Sequence, residues 1–401
     1  MKYVIIILDG ASGEPLEDFG GLTTLEASYT PYLDVLARAG SVGLSHNVPN
    51  DYEPSSNIAC TSICGYDPTE YPIGRGALEG ASLGIDLADD EVALRLNLTN
   101  VSPEGIMVSY STDNISNEDG HALIKELAEV LDDETFTLHT GTGFRGILVV
   151  KGHLELLETE FPAPHNMTDE LISAYHATGP GVDLIADYCA RAREVLMQSP
   201  TNARRLVEGK MPATNVFVFW PGARPSGMVP FSEQYDGLCA GMLSGVDLLN
   251  GIARLASIRT YQFDGVTDGP DNDYVAQAHG ALRMLDENDV VFIHVEAPDA
   301  EGHDGNAAGK KAAIEAIDRE IVSRMAAYAA DEATPALRIL ALPDHPTPVT
   351  TKRHTHDPVP FVLSGPGIAS NGGARLTEKE ALATGLVVDP GYLLIQQLLS
   401  S

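Results

Sequence analysis

The sequence predicts an α/β fold with a mostly parallel sheet flanked by helices and a second α+β domain inserted into it. Three observations predict this class. Short, largely apolar runs end in acidic or glycine-containing turns, as strands that are buried on both faces do. Helical patterns lie between the late runs. The middle of the chain differs from both ends, because proline and glycine residues interrupt it frequently.

The predicted sheet begins at residues 3–8, an apolar run that Asp9-Gly10 closes. Three similar runs occur late in the chain, at residues 290–295, 337–342 and 359–363. A helical pattern covers residues 310–330, and we expect Glu315, Asp318 and Arg319 on its polar face.

The middle of the chain has strands and helices of its own. We therefore predict a sheet domain built from residues 1–85 and 245–401, with residues 90–240 inserted as a second domain. The strands expected in the insert are residues 92–98 and 146–150, and the helices are residues 122–131 and 184–197.

The composition of the chain indicates which binding partners and which cellular compartment to expect. The formal net charge is −32, which repels nucleic acid and anionic lipid surfaces. No apolar stretch approaches the roughly 20 residues of a membrane span, and the N-terminal run is too short for a signal sequence. The four cysteines are scattered without a CxxC pair, as is typical of reduced thiols. We expect a cytoplasmic protein.

Carboxylate and imidazole side chains follow the predicted strands, where open α/β sheets bind ligands. Taken singly, each has an ordinary explanation as a turn, a solvated helix face or a cap. Together they predict a two-metal site, and their mixture of oxygen and nitrogen donors suits manganese, zinc or iron better than calcium or magnesium. The six residues are Asp9, Asp299, His303, Asp344, His345 and His354.

The candidate nucleophile is Ser56. A helical pattern follows it and ends at Gly65. A serine at a helix N-terminus faces free N–H groups, which hold a phosphoryl group well. The alternative is that Ser55 and Ser56 only cap the helix, and composition alone favours that alternative.

Several motifs of this chain resemble those of the archaeal-type, cofactor-independent (2,3-bisphosphoglycerate-independent) phosphoglycerate mutases of the alkaline phosphatase superfamily. The resemblance covers nearly the whole chain. The motifs that carry it are residues 4–10, Gly65-Tyr66-Asp67-Pro68, Gly74-Arg75-Gly76, residues 294–303, residues 342–348 and residues 354–360.

This resemblance implies an alkaline-phosphatase-like metal domain, an inserted substrate domain and a place in glycolysis. The reaction would interconvert 3-phosphoglycerate and 2-phosphoglycerate through a phosphoserine at Ser56. The implied cofactors are two divalent ions, with Mn²⁺ expected first and Zn²⁺, Co²⁺ or Mg²⁺ as alternatives. The implied partner is a small phosphorylated metabolite, and the implied state is a monomer or a small homo-oligomer. One ion would be held by Asp299, His303 and His354, and the other by Asp9, Asp344, His345 and the Ser56 hydroxyl.

The resemblance also implies substrate-binding residues outside the metal shell. A guanidinium can bind phosphate and carboxylate with two hydrogen bonds. The alternative for each arginine is an ordinary surface charge, and Arg95 and Arg145 fit the role best. The matching positions are Arg75, Arg95, Asn97, Arg145, Asn202 and Arg205.

Some positions depart from the family pattern. Asn57 and Cys60 stand where members carry an acidic residue and a histidine, and Gln277 aligns with a lysine. Residues 109–114 replace an arginine-rich segment, and with residues 219–222 they resemble a bacterial subgroup proposed to act as homoserine kinases. Two alternatives therefore stand beside the mutase. One is a phosphotransferase or kinase acting on a small amino alcohol such as homoserine, and the other is a degenerate member that binds a phosphorylated metabolite without turnover.

Overall fold

The computed structural model describes residues 1–400 and confirms the α/β class. The strands are β1 (Lys2–Leu8), β2 (Ser41–Ser45), β3 (Glu91–Val101), β4 (Met107–Ser109), β5 (Phe136–Thr140), β6 (Arg145–Lys151), β7 (Asn215–Gly222), β8 (Ala240–Leu243), β9 (Arg259–Tyr261), β10 (Val290–Val295), β11 (Leu337–Leu342), β12 (Val359–Ser364) and β13 (Val387–Val388).

The α-helices are α1 (Thr24–Ala27), α2 (Pro31–Ala39), α3 (Ser56–Ile63), α4 (Arg75–Ser82), α5 (Asn117–Leu131), α6 (Val182–Gln198), α7 (Pro200–Val207), α8 (Phe231–Gln234), α9 (Asp247–Leu255), α10 (Tyr274–Glu287), α11 (Ala297–Asp304), α12 (Ala307–Ala316), α13 (Ser323–Ala330), α14 (Glu378–Thr384) and α15 (Leu394–Leu399). Short 3₁₀ turns occur at Glu17–Phe19, Leu154–Glu158, Pro164–Met167, Ile172–Ala174 and Gly391–Leu393, and a π-helical stretch, Ile317–Val322, joins α12 to α13.

The chain divides into two compact units. The first contains residues 1–72 and 227–401, and the second contains residues 73–226. Both divisions fall earlier than the predicted boundaries, so that α4 belongs to the second unit and β8 to the first.

The first unit contains an eight-stranded sheet in the order β13-β2-β12-β11-β1-β10-β8-β9. Among the described strands of this sheet, only β12 is antiparallel to its neighbours. The sequence pattern did not reveal this reversal, which turns the glycine-rich segment after β12 towards the edge opposite the other strand ends. At the centre, β1 pairs in parallel with β11 and β10, so the carboxyl ends of these three strands are adjacent.

The apolar runs form strands because both faces of the sheet are covered. From Val4 to Leu8 every side chain of β1 is fully buried. The predicted helix at 310–330 is present, but its expected polar face is partly wrong. Asp318 is fully buried, because it accepts hydrogen bonds from the backbone N–H groups of Tyr32 and Leu33 at the start of α2.

The second unit contains a five-stranded sheet. Its strands pair in the order β4-β3-β6-β5, and β7 also pairs with β3. Every pairing is antiparallel. Helices α5 and α6 pack on this sheet through a core that includes Leu94, Ile124, Val150 and Tyr188. No helix within residues 1–400 is long and apolar enough to cross a lipid bilayer.

Candidate metal centre

The three central strands of the first unit place the predicted ligands at one edge of the sheet. Asp9 directly follows β1, and Asp344 and His345 follow β11 after one intervening residue, Pro343. Asp299 and His303 lie one turn apart on α11, which begins two residues after β10. Because neighbouring parallel strands end at the same edge, the five side chains converge.

Asp9, Asp344 and His345 form the first group that could hold a metal ion. All three side chains are fully buried. The Nε2 atom of His345 lies 3.2 Å from Asp344 Oδ2 and 3.7 Å from Asp9 Oδ1. The Gly10 N–H donates to Asp344 Oδ1 at 3.0 Å and fixes the orientation of that carboxylate.

Asp299, His303 and His354 lie together beside this group. Asp299 Oδ2 is 3.2 Å from His303 Nε2, and Asp299 Oδ1 is 3.5 Å from His354 Nε2. The Nδ1 atoms of the two histidines contact the backbone carbonyls of Lys352 at 3.0 Å and Pro54 at 3.1 Å. Such carbonyl contacts keep the proton on Nδ1 and leave Nε2 free to act as a ligand.

The two groups are continuous with each other. The His345 and His354 rings stack with centroids 3.8 Å apart, and Asp299, His345 and His354 form a further group that could hold an ion. The structure therefore brings all six predicted ligands into one cluster.

Ser56 joins the cluster from α3. Its Oγ lies 3.1 Å from His345 Nε2. The N-cap residue is Ser55, and its Oγ contacts the Glu53 carbonyl instead of capping the helix within the described chain. These positions disfavour the capping explanation and place the Ser56 hydroxyl at the first residue of the helix.

The electrostatics around Asp9 and Glu296 are those of a site that lacks positive charge. Burial and the charges of Asp344 and Glu296 raise the pKa of Asp9 well above its usual range. Burial also raises the pKa of Glu296, to about 7. Asp9 Oδ1 and Glu296 Oε2 are buried without a hydrogen-bond partner in the described chain. Buried carboxylate oxygens without a partner favour the binding of a cation. The charge of the site and the types of its potential ligands therefore both indicate a metal ion.

Sequence reasoning missed two residues that support this edge of the sheet. Thr347 Oγ1 contacts both Asp299 and His345. Lys310 is fully buried, and its ammonium donates to the carbonyl oxygens of Ser12 at 2.9 Å and Thr347 at 2.7 Å. A lysine near the start of a helix carries no sequence signal for such a role.

Sequence reasoning also left His294 and Glu296 without a role. His294 Nε2 lies 2.6 Å from Asp9 Oδ2 and 3.7 Å from Glu296 Oε2, and these three residues form another group of potential ligands. The available signal was a histidine inside the otherwise apolar run 290–295.

The departures from the family pattern have clear positions. Cys60 is fully buried, with Sγ 3.8 Å from Asp344 Oδ2. Asn57 lies in the first turn of α3, and its carbonyl accepts from the Thr61 hydroxyl. Gln277 is buried and donates to the His294 carbonyl at 2.7 Å, so it is a structural residue of the first unit.

Three of the four predicted arginines meet in the second unit. The guanidinium of Arg75 lies 4.0 Å from the ring centre of Trp220, and that of Arg95 lies 5.3 Å from the same ring. Burial lowers the pKa of Arg95 to about 10, and although Glu79 opposes this shift, the charges of Arg145 and Arg75 add to it. The cluster holds three cations against the one carboxylate that pairs with Arg75 and Arg95.

Arg205 does not join this cluster. It is buried and paired with Asp119, and it also donates to the Met211 carbonyl. Asn202 is likewise committed to backbone groups, at Leu196 and Ala213. These contacts favour a structural role for both residues.

Comparisons with known proteins show which family this chain resembles. Residues 37–202 match the family model described as 2,3-bisphosphoglycerate-independent phosphoglycerate mutase. The chain is 37% identical to a probable enzyme of that name from Geobacter sulfurreducens, over 100% of both chains. It is 37% identical to one from Methanosarcina barkeri, over 96% of both.

Two solved structures are also similar to this chain. A protein of Pyrococcus horikoshii aligns with a TM-score of 0.83 and 27% identity, covering 99% of this chain and 96% of that one. A cofactor-independent phosphoglycerate mutase from Thermoplasma acidophilum, at 22% identity over 100% of both chains, shares the fold with a TM-score of 0.70. Because it is 37% identical to the Geobacter sulfurreducens and Methanosarcina barkeri proteins over nearly the full length of each, the chain belongs to the 2,3-bisphosphoglycerate-independent phosphoglycerate mutase family.

Proposed function

We propose that this protein interconverts 3-phosphoglycerate and 2-phosphoglycerate through a phosphoserine at Ser56. The observation that carries the proposal is the hydroxyl of Ser56, at the start of α3 and 3.1 Å from His345, inside a cluster of carboxylates and imidazoles. The full-length similarity to enzymes named for this reaction supports the same conclusion.

Two divalent ions, Mn²⁺ in the first instance, are the cofactors we propose. Asp299, His303 and His354 would hold one ion, and Asp9, Asp344, His345 and Ser56 the other. The orphaned Asp9 Oδ1 supports this assignment. When bound, such ions activate the attacking oxygen and stabilise charge on the transferred phosphoryl group.

The protein supplies the nucleophile and a place for the phosphoryl group. Ser56 Oγ forms the new bond to phosphorus while the bond from phosphorus to the substrate oxygen breaks, and the hydroxyl proton leaves with glycerate. In the second step the other glycerate hydroxyl takes the phosphoryl group from Ser56. The free N–H groups of the first turn of α3 favour its negative charge.

Recognition of the substrate is proposed for the arginines of the second unit. Arg75, Arg95 and Arg145 provide excess positive charge in a chain whose net charge is −32. The guanidinium of Arg75 lies over Trp220 and donates its Nε–H to Glu79, so its two terminal NH₂ groups remain for a carboxylate or phosphate.

The test compares Ser56→Ala with Ser55→Ala. Conversion of 3-phosphoglycerate is followed by a coupled assay with Mn²⁺, and phosphate on the Ser56 peptide by mass spectrometry. We expect Ser56→Ala to abolish turnover and the phosphopeptide, and Ser55→Ala to retain both, because the Ser55 side chain faces the Glu53 carbonyl.

Absence of turnover by the wild-type protein at high concentration would contradict the mutase. If the same preparation phosphorylated homoserine with ATP, the kinase alternative would replace it. If it bound phosphoglycerate without any phosphoserine, the degenerate alternative would.

A further inference from the structure

The side chains of His294, on β10, and Asp9, directly after β1, are neighbours. In the parallel pairing of β1 with β10, His294 lies opposite Ile7, and its ring contacts Asp9 two residues further along the chain. The Nε2 atom lies 2.6 Å from Asp9 Oδ2, and both side chains have no solvent exposure.

The other ring nitrogen of His294 faces Ser244, directly after β8. Ser244 Oγ lies 3.0 Å from His294 Nδ1 and accepts the N–H of Val246 at 3.0 Å. Since the hydroxyl accepts from Val246, its own proton is free to go to Nδ1. The ring proton then sits on Nε2 and is donated to Asp9.

These hydrogen bonds give the two oxygens of the Asp9 carboxylate different roles. Oδ2 is committed to His294. Oδ1 has no hydrogen-bond partner in the described chain and lies 3.7 Å from His345 Nε2. One oxygen is anchored, and the other is left for an ion shared with His345.

We propose that His294, oriented by Ser244, is a positioning residue that presents Asp9 Oδ1 to the metal ion held with Asp344 and His345. Gln277 supports the arrangement, because its amide donates to the His294 carbonyl at 2.7 Å. The inference rests on the proposed function only for the presence of that ion.

A competing explanation is that Asp9, His294 and Glu296 hold a third ion. The 2.6 Å separation between Nε2 and Oδ2 argues against it. Two atoms that bind one ion at about 2.0–2.2 Å stand roughly 3 Å or more apart at tetrahedral or octahedral angles, whereas 2.6 Å is a hydrogen-bond distance.

The experiment uses the full-length protein freed of metal and titrated with Mn²⁺, with free Mn²⁺ measured by electron paramagnetic resonance. His294→Asn removes the donor to Asp9. His294→Gln is the conservative variant, whose amide N–H can take the place of Nε2–H. Ser244→Ala keeps the histidine and removes its orienting partner. Thermal unfolding of each metal-free protein shows whether the variant folds.

We expect His294→Asn to bind one of two Mn²⁺ ions about 10- to 100-fold more weakly. His294→Gln should recover most of that loss, and Ser244→Ala should show a smaller one. Where turnover is measured, excess Mn²⁺ should restore the kcat of His294→Asn, which general structural damage would not allow.

Wild-type affinity in folded His294→Asn and Ser244→Ala would overturn the proposal. If the wild type bound three Mn²⁺ ions and His294→Asn bound two, the third-ion site would replace the proposal. Should His294→Asn fail to fold, Ser244→Ala and His294→Gln decide the question alone. A wild type that binds Mn²⁺ but lacks mutase turnover would contradict the proposed function and leave this test intact.

Discussion

Gly10 is the position where one added methyl group should damage the metal centre most directly. It has a φ of +59°, and a Cβ built there would lie 2.4 Å from Asp299 Oδ1, 2.7 Å from Thr347 Oγ1 and 2.8 Å from the Asp299 Cα. The last contact is with backbone, so a side-chain rotation cannot relieve it. In Gly10→Ala the start of α11 must move away from the end of β1.

The size of the effect follows from these distances. Comfortable carbon contacts begin at about 3.5 Å, so Asp299 must shift by roughly 0.7 Å or more. A misplacement of about 1 Å can cost on the order of 100-fold in rate, which corresponds to about 2.7 kcal/mol. The left-handed backbone adds about 1–2 kcal/mol of destabilisation.

The assay is kcat/KM for conversion of 3-phosphoglycerate at saturating Mn²⁺, with denaturant unfolding measured in parallel. Gly20→Ala is the matched control, because Gly20 has a φ of +67° and its added Cβ would meet nothing within 4 Å. Both variants should lose stability, and only Gly10→Ala should lose about 100-fold in kcat/KM. If Gly10→Ala kept a third of wild-type activity, or Gly20→Ala lost as much, the steric argument would be refuted.

Three further predictions concern side chains away from the ligands. Lys310→Met removes the ammonium donor of the buried Thr347 carbonyl, whereas the Ser12 carbonyl keeps the Thr347 N–H as a donor. It should lower the free energy of unfolding by about 1–3 kcal/mol; an unchanged denaturation midpoint would contradict this. Burial raises the pKa of Asp318 from its usual 3.8 to about 6. The folded state then disfavours ionisation of Asp318. As the pH rises from about 4 to about 6, the free energy of unfolding of the wild type should therefore fall relative to that of Asp318→Asn, by on the order of 2–3 kcal/mol. Parallel curves of stability against pH for the two proteins would contradict the raised pKa. Arg75→Ala should raise KM at least tenfold without changing stability. Arg205→Ala should cost about 3–5 kcal/mol by breaking a buried ion pair and leave KM unchanged; the reverse pattern would exchange their roles.

The sequence alone determined the fold class and the six candidate ligands. Parallel strands covered on both faces must be apolar along their length, so the runs at 3–8, 290–295 and 337–342 stood out and became strands within one residue of prediction. Side chains that follow such strands must meet at one edge of the sheet. The candidate ligands lie close together because β10, β1 and β11 are neighbours in the sheet.

Only the tertiary structure decided which polar side chains are buried and what they contact. The sequence shows Asp318 and Lys310 as ordinary helix charges, yet both are buried because other segments supply their hydrogen-bond partners. It shows Arg75 and Arg205 alike, yet one stacks on Trp220 and the other is paired with Asp119. Strand direction was also undetermined, since an antiparallel β12 buried on both faces is as apolar as a parallel one. Local patterns report burial and period, whereas hydrogen bonds between distant segments exist only once the chain has folded.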